Sequence, residues 1–146
     1  MATPNSDWAV DVDAECRLSW MTMAGIVTAI DLLAAQRGLA VHDRFDPSFA
    51  LVLDLRMACE LPLTWQDART VVTNSPVGPR SPQAIVAGTI NTAAMAHAYA
   101  GLHDEMTGTI GTRVCRSLPE ACAWLGVPFD HVRDSCAGVR LPVRIR

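Results

Sequence analysis

Lysine is absent from this chain: all twelve basic residues are arginines. A complete preference for arginine is typical of genes with high GC content, which indicates a bacterial source. The formal net charge is −3, and neither half of the chain carries the dense basic stripe of a nucleic-acid-binding protein. The sequence therefore predicts a bacterial protein that does not bind nucleic acid.

Long apolar runs are also missing, although apolar residues make up 50% of the chain. No run approaches the roughly 20 residues that a membrane-spanning helix needs. The first residues, 1–7, lack the basic start and apolar stretch of a signal peptide. We therefore expect a cytoplasmic protein without membrane insertion.

No pattern of a metal site or of a catalytic site is present. The five cysteines are Cys16, Cys59, Cys115, Cys122 and Cys136. They form no Cys-x-x-Cys pair and no Cys/His pair at zinc spacing, so we expect reduced, mostly buried thiols. His97 and His103 are six residues apart, which places them on nearly opposite faces of a helix. The sequence also lacks a nucleophile elbow and a dinucleotide fingerprint. These absences predict a non-enzymatic protein with no cofactor and no metal.

The apolar pattern changes period early in the chain. Residues 8–13 and 18–23 alternate with period two, which predicts an antiparallel hairpin of two strands. From Thr28 the period becomes helical, with Ile30 on the inner face, and Gly38 predicts the end of this first helix. The chain therefore opens with a hairpin followed by a helix.

Strands and helices alternate through the rest of the chain. The further elements predicted are a buried strand at 50–55, a helix at 64–73, a buried strand at 84–88, a helix at 91–106, an outer strand at 110–115 and a helix at 118–125. This order predicts an α/β fold with a mixed sheet of about five strands and about four helices. We assign residues 1–128 to this domain and residues 129–146 to an arginine-containing C-terminal extension. A solvated tail is favoured over an added edge strand for that extension.

Three hydroxyl residues precede an acid by three positions at predicted helix starts. The pairs are Thr28 with Asp31, Thr64 with Asp67, and Ser117 with Glu120. This is the spacing of a capping box, in which the hydroxyl and the acid each accept a hydrogen bond from a free backbone N–H of the first turn. A structural cap is therefore favoured at all three places over a phosphorylated or nucleophilic side chain.

Asp54 and Asn91 are the other candidates for chemistry. Asp54 ends an apolar strand, where α/β sheets usually place ligands, and Arg56 follows on the same side. An intramolecular pair of these two side chains is favoured over a ligand site. Asn91 lies at the start of the third helix, where a helix cap is favoured over an anion site. An enzyme built around these three residues is the least favoured interpretation.

Several segments together resemble a family of small bacterial proteins with a STAS-like fold. These segments are residues 43–49, Asp54-Leu55-Arg56, residues 81–87, residues 95–102 and residues 113–126. The resemblance covers roughly Leu18 to Pro128, and most members of this family have no assigned function. STAS domains include the anti-sigma-factor antagonists, so the resemblance implies a binding module.

In those antagonists, binding to a kinase partner is switched by phosphorylation of a serine at the start of the second helix. The corresponding position of this chain is Leu63, and the neighbouring Thr64 carries the nearest hydroxyl. The resemblance therefore implies the fold without the usual phosphoacceptor.

The leading hypothesis is a STAS-like regulatory module that binds a protein partner. We place its binding face around the second helix and the loop Asn74–Pro82, which includes Arg80. A small-molecule or lipid carrier is the alternative. A deep apolar pocket would indicate the carrier, whereas an exposed apolar patch would indicate the partner module. The sequence leaves the oligomeric state open, a homodimer included.

Overall fold

The computed structural model of this chain describes residues 6–129, which form a mixed sheet of five strands with four helices. The strands are β1 (Ser6–Asp13), β2 (Leu18–Ile26), β3 (Ala50–Glu60), β4 (Gln83–Ala87) and β5 (Thr112–Cys115). The helices are α1 (Ala29–Ala40), α2 (Trp65–Thr73), α3 (Ile90–Thr107) and α4 (Leu118–Leu125). The predicted α/β fold class, with its opening hairpin, is confirmed. The extension predicted from residue 129 onwards lies outside the described residues, Phe129 excepted.

The strands follow one another across the sheet in chain order, β1-β2-β3-β4-β5. β1 is antiparallel to β2, and every later neighbouring pair is parallel. The carboxyl ends of β2 to β5 therefore lie at one edge of the sheet, which we call the carboxyl edge; the opposite edge is the amino edge. Because each helix follows a parallel strand, all four helices begin at the carboxyl edge.

The two faces of the sheet are covered differently. One face packs against α1, α2 and α3, and it includes Leu51, Leu53 and Leu55 of β3. The other face includes Val52 of β3 and Trp20 of β2, and it packs against α4. Because β3 is central and buried on both faces, its side chains are apolar on both sides. This arrangement explains the uninterrupted apolar run that predicted a central strand.

The predicted helix caps are present in the structure. Thr28 and Thr64 each form a complete capping box, with Asp31 and Asp67 respectively. The Ser117 hydroxyl accepts a hydrogen bond from the backbone N–H of Glu120. The Glu120 carboxylate, however, accepts from the backbone N–H of Arg116 at 2.9 Å, so the α4 cap is not a complete box. The capping interpretation is confirmed for all three hydroxyls.

Two predictions about α1 are wrong. Gly38 lies inside α1 rather than at its end, because its missing side chain makes room for Trp8: a Cβ there would lie 3.0 Å from the indole ring. Ile30 is 70% exposed, whereas Leu32 and Leu39 are buried. α1 carries apolar residues on several sides, so its periodicity alone could not identify the inner face.

The expectation that the cysteines are mostly buried is met in part. Cys115 and Cys122 are buried, and burial raises the pKa of both thiols; Cys16 is half-buried and Cys59 is exposed. Cys136 lies outside the described residues.

In the part of the chain that the structure describes, no helix is long and apolar enough to cross a membrane.

His103 is buried in α3, where its Nδ1 lies 3.0 Å from the Thr112 hydroxyl. Burial lowers the pKa of His103 below its ordinary value of 6.5, against the opposing effect of Asp104. The unfolded chain therefore binds more protons than the folded protein as the pH falls through about 6.5 and below. We expect the free energy of unfolding to decrease there, by at most about 1.4 kcal/mol per pH unit for this one group.

Urea titrations between pH 7.5 and pH 5 measure this effect. His103→Gln should reduce the pH dependence, whereas His97→Gln, a change at an exposed position of the same helix, should leave it unchanged. An equal pH dependence in the wild type and in His103→Gln would show that the burial of His103 does not cause it.

Candidate functional site

Asp54 and Arg56 form an ion pair on β3. The two carboxylate oxygens of Asp54 accept hydrogen bonds from Arg56 Nε at 2.9 Å and from Arg56 Nη2 at 2.8 Å. The backbone N–H of Arg56 also donates to Asp54 Oδ1 at 3.0 Å. Asp54 is buried and Arg56 is exposed. The structure thus places the two residues together as the intramolecular pair that the sequence favoured, and both carboxylate oxygens are occupied.

The sequence predicted that β3 ends around Asp54, but the strand continues to Glu60. Its pairing with β2 shifts from Thr22 opposite Asp54 to Ala24 opposite Met57, so β3 contains one additional residue at this point. Such a bulge turns the strand and redirects its side chains. Beyond the bulge, Met57 is 63% exposed at the carboxyl edge.

The connection from β4 to α3 passes directly against β3. A Cβ on Gly88 would lie 2.6 Å from the Arg56 carbonyl oxygen, a distance that no side chain tolerates. Thr89 then caps α3, since its hydroxyl accepts from the backbone N–H of Thr92 at 3.0 Å. Asn91 is exposed within α3, so the prediction that Asn91 is the cap is wrong. Thr92 replaces the usual acid of the capping box, which hid this cap from the sequence pattern.

Gly88→Ala is expected to lower the free energy of unfolding by about 1–3 kcal/mol, because the added methyl group would push the β3 backbone away. Gly101 is the matched control within α3, since a Cβ there meets no atom within 4 Å. Gly101→Ala should raise the free energy of unfolding by up to about 1 kcal/mol. Thermal and urea unfolding of both variants measures these changes. Equal effects at the two glycines would refute the close approach at Gly88.

Thr64 caps α2 at the carboxyl edge. Its hydroxyl accepts from the backbone N–H of Asp67 at 3.0 Å, and the Asp67 carboxylate accepts from the backbone N–H of Thr64 at 3.0 Å. The resemblance places the phosphoacceptor position at the preceding residue, Leu63, so Thr64 carries the nearest hydroxyl. The hydroxyl already serves the helix as a hydrogen-bond acceptor.

Thr64→Ala should lower the free energy of unfolding by about 1 kcal/mol, whereas Thr64→Asp should preserve it, because aspartate caps a helix as well as threonine does. Negative charge at a helix N-terminus is also favourable. Urea unfolding of both variants measures the difference. A similar loss of stability in both variants would show that the loss does not come from the missing cap.

Four large apolar side chains are exposed at the carboxyl edge. They are Ile30 at 70%, Met57 at 63%, Trp65 at 59% and Ile90 at 88%. Three of them lie in the first turns of α1, α2 and α3, within two residues of a threonine cap. α2 is in contact with both α1 and α3, so the helix starts that carry three of these side chains follow one another along the edge. We call these four residues the apolar row.

The loop Asn74–Pro82 lies at the amino edge. Within it, the Ser81 hydroxyl donates to the carbonyl of Pro47 at 2.7 Å, and the Pro79 carbonyl accepts from the Thr109 hydroxyl at 3.1 Å. Pro47 precedes β3 and Thr109 precedes β5, so this loop packs with the other loops of that edge. α2 has nine residues and is about 13 Å long, which separates the loop from Thr64.

The structure therefore divides the predicted site residues between the two edges of the sheet. Asp54, Arg56, Thr64 and Asn91 lie at or near the carboxyl edge, and Arg80 is exposed in the loop at the amino edge. The amino edge also exposes three apolar side chains, Val41, Met106 and Ile110.

Two cavities are relevant to ligand binding. An interior cavity between the sheet and α1 to α3 has a volume of about 20 Å³. An open groove of about 930 Å³ runs between the first two turns of α3 and the start of α4, with Ile90 and His97 on one side and Arg116 and Glu120 on the other. Within residues 6–129, no three histidine, cysteine or carboxylate side chains are placed to hold a metal ion.

Sequence reasoning missed the apolar row, although a signal for it exists. An apolar residue that directly follows a threonine cap belongs to the first helical turn, where side chains can project past the end of the sheet. Trp65 and Ile90 directly follow Thr64 and Thr89. The helical periodicity of α1 instead placed Ile30 on the inner face.

Comparison with known proteins found no matching family model, no matching curated protein and no matching solved structure.

Proposed function

We propose that this chain is a non-enzymatic, STAS-like regulatory module of the bacterial cytoplasm that binds a protein partner through its carboxyl edge. The observation that carries the proposal is the apolar row, in which Ile30, Met57, Trp65 and Ile90 are each more than half exposed. The hairpin, the helix α1 and the three strand-helix units that follow fit the fold that the family resemblance implies.

The composition of the apolar row supports a protein partner. Tryptophan and methionine are enriched in protein interfaces, and tryptophan is over-represented among residues whose truncation costs the most binding energy. Burial of one large aliphatic side chain contributes about 1.5–3 kcal/mol. Trp65 and Ile90 are the first residues of capped helices, so their backbones are already ordered before a partner binds. The entropy lost on binding is correspondingly small.

The cavities favour a protein over a small apolar ligand. Pockets for drug-sized ligands have volumes of about 300–1,000 Å³ and enclose most of the ligand surface. The interior cavity, at about 20 Å³, is too small for a lipid, and the larger groove is open and lined partly by charged side chains. A carrier function therefore has less support than partner binding.

The Asp54–Arg56 pair supports the non-enzymatic part of the proposal. A general base needs a carboxylate oxygen that can reach a substrate proton. Both oxygens of Asp54 accept hydrogen bonds from Arg56, and the Asp54 side chain is buried. The pair is better suited to hold the β3 bulge beside Met57 than to activate a substrate.

Site-specific photo-crosslinking in cells of the source organism tests the proposal. A photoreactive amino acid replaces Trp65 or Ile90 at the carboxyl edge, and Val41 or Ile110 at the amino edge serves as the matched control. We expect one defined product with another protein from the carboxyl-edge positions and none from the control positions. Products from the control positions alone, or equal products from both edges, would contradict the proposal. A product with the mass of two copies of this chain would show that the partner is a second copy of the same chain, in a homodimer, and not another protein.

A further inference from the structure

Two buried glutamines face the same interior cavity with unpaired oxygens. Among the described residues, the buried side-chain atoms without a hydrogen-bond partner are Ser19 Oγ, Trp20 Nε1, Gln36 Oε1 and Gln83 Oε1. Gln36 is 5% exposed and Gln83 is 3% exposed, and both residues line the cavity between the sheet and the helices α1 to α3. A buried amide oxygen that lacks a donor is destabilising, which makes a pair of them at one cavity unusual.

The cavity has the size of a water site. Its volume of about 20 Å³ exceeds the roughly 10–15 Å³ that one water molecule needs, and it is far too small for an organic ligand. Most of its lining is aliphatic, with Leu53 and Ile85 from the sheet and Leu61 and Leu63 from the connection to α2. A guest therefore finds its polar partners only at the few polar side chains of the wall.

Tyr99 supplies a third polar group at this cavity. The Tyr99 side chain is buried, and the Gln83 side chain lies close enough to influence its ionisation. Burial raises the pKa of Tyr99, whereas the nearby Gln83 side chain lowers it by a smaller amount. The phenol thus stays protonated, and its O–H group remains a donor that can point into the cavity.

We propose that this cavity binds one internal water molecule, which donates to Gln36 Oε1 and Gln83 Oε1 and accepts from the Tyr99 hydroxyl. Three hydrogen bonds are the usual number for an internal water. The arrangement satisfies both glutamine oxygens with a single guest.

The water site connects the three helices on this face of the sheet with β4. Gln36 Nε2 donates to the Val71 carbonyl at 2.9 Å, which links α1 to α2. Through the water, Gln36 of α1 is linked to Gln83 of β4 and to Tyr99 of α3. Polar groups inside an apolar core are satisfied in only a few arrangements, so this centre selects one packing of the three helices on the sheet.

Oxygen-17 magnetic relaxation dispersion counts long-lived internal waters and tests the proposal on the wild-type protein. Nuclear Overhauser effects from water to the side-chain amides of Gln36 and Gln83 locate the water. We expect one long-lived water with effects at both amides. The absence of a long-lived water near either amide in the folded wild type would overturn the proposal, whether or not any variant folds.

Two variants and a control sharpen the test. Gln83→Met should remove one long-lived water from the count, whereas Gln66→Met, a change at an exposed glutamine of α2, should leave the count unchanged. If Gln36 and Gln83 share one water, the unfolding equilibrium constant of the double Met variant should differ at least threefold from the product of the single effects. Purely additive effects, or an unchanged water count in Gln83→Met, would overturn the shared site.

Discussion

Leu53→Ala is expected to lower the free energy of unfolding by about 2–5 kcal/mol. Leu53 is buried near the middle of β3, the central strand, on the face that packs against α1, α2 and α3. The truncation removes most of a buried side chain, and the space that it leaves adjoins the interior cavity that Leu53 already lines. Because two neighbouring strands hold β3 in place, this region cannot collapse to fill the space, which favours the upper half of that range.

Urea unfolding of purified protein measures this loss. Met57→Ala is the matched control on the same strand, because Met57 is exposed beyond the bulge; this change should alter stability by no more than about 0.5 kcal/mol. If Leu53→Ala costs less than about 0.5 kcal/mol, the central, doubly covered position of β3 is wrong.

Trp65→Ala is expected to weaken binding of the protein partner at least tenfold, which corresponds to about 1.4 kcal/mol. Exposed tryptophans that become buried at the centre of an interface cost about 2 kcal/mol or more when truncated. Trp65 is 59% exposed at the first position of α2, next to the cap formed by Thr64 and Asp67. The protein itself should lose little stability, because the truncated side chain contributes more to the surface than to the core.

Titration calorimetry with the partner identified by crosslinking measures the affinity, and urea unfolding measures the stability of the same variant. Val41→Ala is the control. Val41 is 83% exposed, and it caps the C-terminal end of α1 at the amino edge, away from Trp65. Equal losses of affinity for the two variants would place the interface elsewhere or spread it over both edges.

Much of the fold was predictable because local signals and the global fold agree. The apolar run of β3 is buried on both faces, and the threonine-acid pairs at Thr28 and Thr64 form the predicted boxes. Prediction failed at Gly38 because its signal depends on a partner remote in sequence, and at Thr89 for a local reason. Gly38 resembles a helix end until Trp8 of β1 is placed against it. The cap at Thr89 was missed because a second threonine replaces the acid of the box.

The candidate site was predictable only in part. The pairing of Asp54 with Arg56 followed from their spacing along one strand. The bulge that exposes Met57 depends on the register between β2 and β3, which no local pattern contains. The separation of Arg80 from Thr64 depends on the direction of α2 relative to the sheet, and this direction became clear only with the parallel pairing of β3 and β4.

Amide hydrogen exchange in the presence and absence of the crosslinked partner tests partner binding at the carboxyl edge most directly. Binding there should slow exchange in residues 26–31, 56–66 and 88–92, which hold the apolar row and the first turns of α1, α2 and α3. The amino-edge segments 41–49, 74–82 and 107–111 serve as the internal comparison and should exchange at unchanged rates. Protection confined to those amino-edge segments, with none at the carboxyl edge, would contradict the proposed binding surface.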